Sequence, residues 1–412
     1  MEAVWLASLI LVPLFFNVYS SRIFEPDKLT LLRSLALISA AAWAVKGIDS
    51  LASMDQKQLS IEKIKSFLRY PLVAPVAALA LVYLLSTAFS VTPRTSLFGS
   101  YQRLQGTYTT LSYLVIFASV AANLRKREQV ERLITISVLN SLPIGLYGIL
   151  QRYQIDPIPW GGDVSVRIAS NLGNSIFVAA YLIMVFPITL GRVLQSFHAI
   201  LSEETRLAAQ VARATVYVFT LSVQVIALYM SGSRGPALGW LGGLFVFNLI
   251  ASVVWRKRWL TYTILGSALV GIVFLSIFNI EGGPLERLRQ SPAIGRFGRL
   301  LDEQSNSALV RQYIWEGVVD LVSLHEPLRY PDGRVDRFNF LRPLIGYGPE
   351  SMYVAYNRFY PPDLGQVEKR NASPDRAHNE TWDSLVITGS LGFAAYLLLF
   401  AAVFYYGMQW LN

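Results

Sequence analysis

The sequence has no cysteine and only three histidines. The first absence excludes a disulfide framework and any thiolate metal site. His198, His325 and His378 are far apart, and none belongs to an H-x-x-x-H pair, so both common zinc patterns are missing. No metal or other cofactor is expected. Charge is scarce as well: Asp, Glu, Lys and Arg make up 15% of the 412 residues, against about 25% in a soluble protein. The start, Met1-Glu2-Ala3, lacks a positively charged n-region, and no A-x-A site follows the first apolar run. That run is therefore expected to be retained rather than cleaved as a signal peptide.

What the chain has instead is apolar sequence in blocks. Residues of the AVILMFWYC set make up 53%, and mean hydropathy is +0.41. Runs of roughly 17 to 25 apolar residues are long enough to cross a bilayer. Ten such runs can be read: Ala3 to Tyr19, Leu32 to Ile48, Pro71 to Ser90, Gly106 to Ala122, Leu133 to Leu150, Ser175 to Leu190, Ala214 to Met230, Pro236 to Val254, Leu260 to Ile280 and Ser384 to Tyr406. The expected fold is an all-α polytopic membrane protein of about ten transmembrane helices. A polar segment over 281–381, too costly to bury in hydrocarbon, must lie outside the bilayer. This divides the chain into a bundle of nine spans (1–280), a large, partly helical extracytoplasmic loop (281–381) and a last span (382–412). The chain stops at Asn412, close behind that span, which suggests a fragment; a short natural tail is the alternative.

The connectors after spans two, four, six and eight hold 14 Lys and Arg, and those after one, three, five and seven hold seven. The positive-inside rule then puts the N-terminus in the cytoplasm and the large loop outside. Arg22 and Lys28, in the first outer loop, run against the trend. The net charge of +9 is explained by these connectors, so nucleic acid is not an expected partner. The same count brings Arg94, Arg103, Arg167, Arg234 and His378 to one side of the membrane.

Two places carry candidate chemistry. Ser231-Gly232-Ser233-Arg234-Gly235-Pro236 is a tight reversal between two spans, with Pro236 suited to the start of span eight. A helix N-terminus offers free N–H groups and partial positive charge, and an arginine there completes an anion site. The alternative is a snorkelling arginine that anchors the span end. In Asn371 to Trp382, Ser373-Pro374 reads as an N-cap and first-turn proline. A helix starting there puts His378 in its second turn, with Asp375 and Trp382 on the same face. Asp375 would orient the imidazole; the alternative is a surface histidine bonded to a backbone carbonyl. Within the insert, Ser307 to Leu324 has helical apolar spacing at Val310, Ile314, Val318 and Leu321, with Arg311 one turn before Trp315. That helix is expected on the bilayer or the bundle mouth. Gly346 to Pro349 reads as a turn, and Glu350 to Tyr360 as a short helix.

Arg234 within GSRG, the pair His378-Asn379 before a span continuing as ITGSLGF, and the large loop between them resemble the O-antigen ligase and O-antigen polymerase family. ASNLGNSIFVAAYLIMVFP, RQYIWEGVV and LIGYGPESM resemble recurring segments of the same family. The likeness spans about Phe98 to Phe400. It implies a glycosyltransferase of the bacterial cytoplasmic membrane that takes a glycan from undecaprenyl diphosphate and passes it to a lipid, glycan or protein hydroxyl. It implies His378 as the catalytic histidine and Arg234 as a diphosphate ligand, with Arg103, Arg167 and Arg311 as further ligands and Asp375 and Asn379 as orienting residues. It also implies spans beyond the histidine helix. The chemistry suits these residues: arginines and a helix N-terminus stabilise a departing diphosphate without metal, and a histidine takes the acceptor's proton. One base opposite one leaving group implies inversion. A small-anion, bicarbonate-like transporter is the rival reading. It should place polar groups at mid-span, where Asn140 and Gln224 are the clearest.

Overall fold

The structure, a computed structural model, describes residues 1–20, 24–52, 70–158, 160, 162–202, 207–291, 294–295, 297–299, 306–369 and 372–411. Arg22, Pro159, Arg206, Asn371 and the connector with Lys57, Lys63, Lys65 and Arg69 lie outside the described residues.

Each of the ten apolar runs forms a helix. They are α1 (Glu2–Leu14), α2 (Glu25–Ala52), α3 (Val73–Ala88), α4 (Thr107–Asn123), α5 (Arg127–Arg152), α6 (Ser175–Ser202), α7 (Leu207–Ser231), α8 (Arg234–Val254) and α9 (Arg258–Phe278). In the insert comes α10 (Asn306–Val322), and the last run is α11 (Glu380–Leu411). Seven of them, α2, α5 to α9 and α11, are long and apolar enough to cross a membrane. α1 and α3 are shorter apolar helices. Among the described residues there is no strand, only an isolated bridge between Arg329 and Val335. The chain is an all-α polytopic membrane protein.

The helices gather into two compact units that cut across the division at 280 and 381. One comprises Met1, Leu29–Asn123 and Glu303–Asn412; the other comprises Glu2–Lys28 and Leu124–Asp302.

In the second unit α5, α6 and α7 pack on one another, with α1 against α5 and α8 against α6. α1 ends at Leu14, well before Tyr19, and has Pro13, which lacks an N–H, in its last turn. The carbonyl that Pro13 leaves without a partner, that of Leu9, accepts from the Asn140 amide at 2.9 Å. The last carbonyls of α1 are capped from elsewhere in the unit. Asn171 donates to Pro13 and Leu14 at 2.7 and 2.9 Å, and the Lys28 ammonium donates to Pro13 at 2.6 Å. A cation at a helix C-terminus also opposes the helix dipole. Lys28 is therefore a buried helix cap. Gln224 is likewise bound within the unit, donating to Ser141 and Thr189 at 2.7 and 2.9 Å. Both mid-span polar groups thus hold the bundle together.

In the first unit α11 packs along α3, and α10 packs on both α11 and the single turns of the insert. Ile314, Val318 and Leu321 of α10 are buried with Tyr347, Met352, Tyr356 and Leu364. The apolar face of α10 is thus occupied within the unit rather than laid on a bilayer. The predicted 350–360 helix is a turn of α-helix over Met352–Ala355 followed by a 3-10 turn over Tyr356–Phe359, and Glu350 lies outside both. α11 is broken rather than continuous. At Gly389 the backbone leaves helical geometry (φ 66°, ψ −168°). The Val386 and Ile387 carbonyls there accept from the amides of Tyr347 and Gly348 at 2.8 and 3.0 Å. Ser86 of α3 donates to the same Ile387 carbonyl at 2.6 Å. The 346–348 loop thereby replaces the hydrogen bonds that the broken helix gives up.

Candidate functional site

The candidate residues fall into two sets, one in each unit. In the second unit Ser233 is the N-cap of α8 and Arg234 its first residue. Pro236 is thus third rather than first, still among the positions whose N–H has no helical partner. The Ser233 side chain does not cap the helix. Its hydroxyl instead accepts from the Arg167 guanidinium at 3.1 Å, while Arg167 Nε donates to the Ser231 carbonyl at 3.2 Å. Two arginines predicted from separate loops therefore meet at one helix N-terminus. Beside it lies an apolar cavity of about 310 Å³, lined by Arg234, Val225, Leu228, Trp240 and Phe297 among others. The loop that carries Arg167 is held by Asp156, which accepts from Tyr147, Trp160 and the Ile158 amide at 2.7, 2.7 and 3.0 Å. Burial pushes the Asp156 carboxyl up, but these hydrogen bonds outweigh it and hold it below the usual range.

In the first unit the histidine segment differs from expectation. Residues 372–379 are not helical, and α11 starts at Glu380. The expected helix at Ser373-Pro374 does not form because Asn379 is the cap: its side chain accepts from the Thr381 amide at 3.0 Å, and its carbonyl accepts from the Asp383 amide at 2.8 Å. Asp375, His378 and Trp382 consequently share no helical face. Asp375 pairs with Arg103 at 2.5 Å instead of His378. Asn379 acts on the helix start, one residue from the imidazole.

His378 itself is exposed and has a left-handed backbone, φ 53°. Such a conformation is uncommon for a residue with a β-carbon and is held only when its surroundings impose it. Here they do. The preceding residue, Ala377, is fully buried, donates its N–H to Asp383 Oδ1 at 2.7 Å, and accepts at its carbonyl from Trp315 Nε1 at 2.8 Å. Asn379 fixes the other side. Arg311 is exposed, one helical turn before Trp315. Among the described residues no hydrogen bond engages the His378 ring.

Three loops are tied together around this segment. The Glu350 carboxylate accepts from the amides of Ser100 and Gln105, Arg376 donates to the Gln105 side chain, and Arg103 meets Asp375. Arg33 of α2 donates to the carbonyls of Phe98 and Leu104 at 2.7 and 2.6 Å, closing the same 98–106 loop from behind. His325, read as loop, lies between the Glu326 carbonyl and the Tyr347 hydroxyl at 2.6 and 2.7 Å. Its Tyr347 hydroxyl is pushed well above the ordinary range by burial.

Sequence reasoning missed Glu350, Arg376, Glu380, Asp383 and Trp315. The one legible sign was Glu380 and Asp383 at i, i+3, on one face of the turn that opens a span. Among the described residues no group of three or more His, Asp or Glu is placed to hold a metal ion. No family model, curated protein or solved structure matches this chain.

Proposed function

We propose that the chain is a glycosyltransferase of the bacterial cytoplasmic membrane, with its N-terminus in the cytoplasm. It transfers a glycan from undecaprenyl diphosphate to an acceptor hydroxyl on the outer face, as an O-antigen ligase, a polysaccharide polymerase or a protein O-oligosaccharyltransferase does. The observation that carries this reading is the presentation of His378, whose exposed imidazole projects from a strained backbone fixed on both sides. A group used as a base gains from being held in place rather than found by fluctuation.

In the proposed reaction the bond between sugar C1 and the diphosphate oxygen breaks as a bond from C1 to the acceptor oxygen forms. His378 takes the acceptor's proton, and the diphosphate leaves with the electron pair. Arg234 and Arg167, at the N-terminus of α8, suit the departing charge. The apolar cavity beside them suits a lipid tail. Arg103 is occupied by Asp375, so its contribution is to hold the histidine loop. The clearest mid-span groups of the transport reading, Asn140 and Gln224, donate hydrogen bonds within the bundle, which favours the transferase reading.

The test is glycan transfer by purified protein from a lipid-diphosphate donor. His378→Ala should lower the rate by roughly 10²- to 10⁴-fold while the melting temperature and donor binding stay unchanged. Near wild-type turnover in that variant would overturn the mechanism.

A further inference from the structure

A polar cavity of about 280 Å³ opens between α3, the first turns of α4 and the first turn of α11. Its walls include Tyr83, Tyr113, Glu350, Arg376, Glu380 and Asp383. None of the residues assigned to the donor lines it. The Glu350 carboxylate is engaged by two loop amides and serves as a wall. Asp383 is 7% exposed and gives one oxygen to the Ala377 amide; among the described residues its other oxygen has no hydrogen-bond partner. Arg376 bonds the Gln105 side chain but forms no ion pair with Glu380 or Asp383 among the described residues. The cavity therefore offers two carboxylates on one wall, the buried Asp383 and the exposed Glu380, guanidinium donors on another, and two tyrosine rings.

Those groups select a ligand. A phosphate would meet two carboxylates for one arginine. A simple cation would leave Arg376 unmatched. A hydroxyl-rich neutral ring satisfies both walls, donating to the carboxylates and accepting from the guanidinium, with its C–H face on a tyrosine. The volume lies just below the roughly 300 Å³ at which pockets for drug-sized ligands begin, so it seats one ring and not a chain. Asp383 also connects the cavity to the histidine segment, since its Oδ1 accepts from the Ala377 amide, next to His378.

We propose that this cavity binds a single sugar ring, the terminal ring of the acceptor, so that the acceptor hydroxyl belongs to a sugar. The acceptor role rests on the glycosyltransferase reading; the binding of a sugar does not.

The test is carbodiimide labelling of Glu380 and Asp383 in the purified full chain, read by peptide mass spectrometry. The probes are methyl glucoside, methyl galactoside and N-acetylglucosamine, with inorganic phosphate as comparison. At about twice its Kd, a bound sugar should slow labelling of Glu380 by roughly threefold, both in the wild-type chain and in His378→Ala. Phosphate should not. Protection without any glycan transfer would leave the sugar site standing and overturn the transferase reading. Transfer without protection by any of the three sugars, or protection by phosphate instead, would overturn the proposed site.

Discussion

Arg234 is the residue at which two physical accounts diverge most sharply. As a lipid-anchoring side chain it needs only a long apolar stem and a charge, which lysine also has. As a diphosphate ligand it needs a planar fork of donors, which lysine lacks. Its position as the first residue of α8, with Arg167 bonded to the neighbouring Ser233, favours the second account. Arg234→Lys should therefore insert normally yet lose much of the transfer rate, and Arg234→Ala should lose more, measured with a lipid-diphosphate donor. Full activity in the lysine variant would return Arg234 to an anchoring role. At this scale the sequence was informative about which residues matter and silent about whom they meet. Arg234 could be found from its own short reversal. That Arg103 meets Asp375 across 272 positions is invisible to any local pattern, and so is the pairing of Asn140 with a carbonyl orphaned by Pro13.

The broken α11 is the element on which the first unit turns. Its first segment, from Glu380, carries Asp383 and the cap of the histidine loop, and its break receives the 346–348 loop. Gly389 permits this for two reasons. Its φ of 66° with ψ of −168° is open to glycine alone. A Cβ there would also lie 2.3 Å from the Leu344 carbonyl carbon. Gly389→Ala should cost roughly 2–5 kcal/mol from strain and overpacking together, seen as a lower melting temperature in detergent and reduced yield. A variant as stable as the wild type would mean that α11 runs straight. The existence of this helix was legible from its apolar run, but its break and its start were not. A glycine inside an apolar run looks the same whether it packs a neighbour or bends the chain. Ser373-Pro374 has good capping chemistry, yet tertiary contacts decide the start. Trp315 and Asp383 hold Ala377 between them, which keeps 372–379 out of the helix and passes the cap to Asn379.

For the whole molecule the question is which side each loop faces. Span counting predicts one side for Arg103 and His378, and the same side for Arg167 and Arg234. Geometry within each unit agrees independently: the 98–106 loop is bonded to the 372–379 segment, and Arg167 is bonded to the reversal before α8. Which compartment that side faces comes only from the distribution of basic residues. A chain without native cysteine permits a direct measurement. Ser373 is exposed beside the histidine loop, and Ser202 is exposed at the end of α6. With single cysteines in intact cells, Ser373→Cys should react with an impermeant thiol reagent and Ser202→Cys should react only after the membrane is opened. The reverse pattern would keep every contact described above but turn the histidine segment to the cytoplasm, where a transferase acting on outward-facing lipid-linked glycan could not reach its donor.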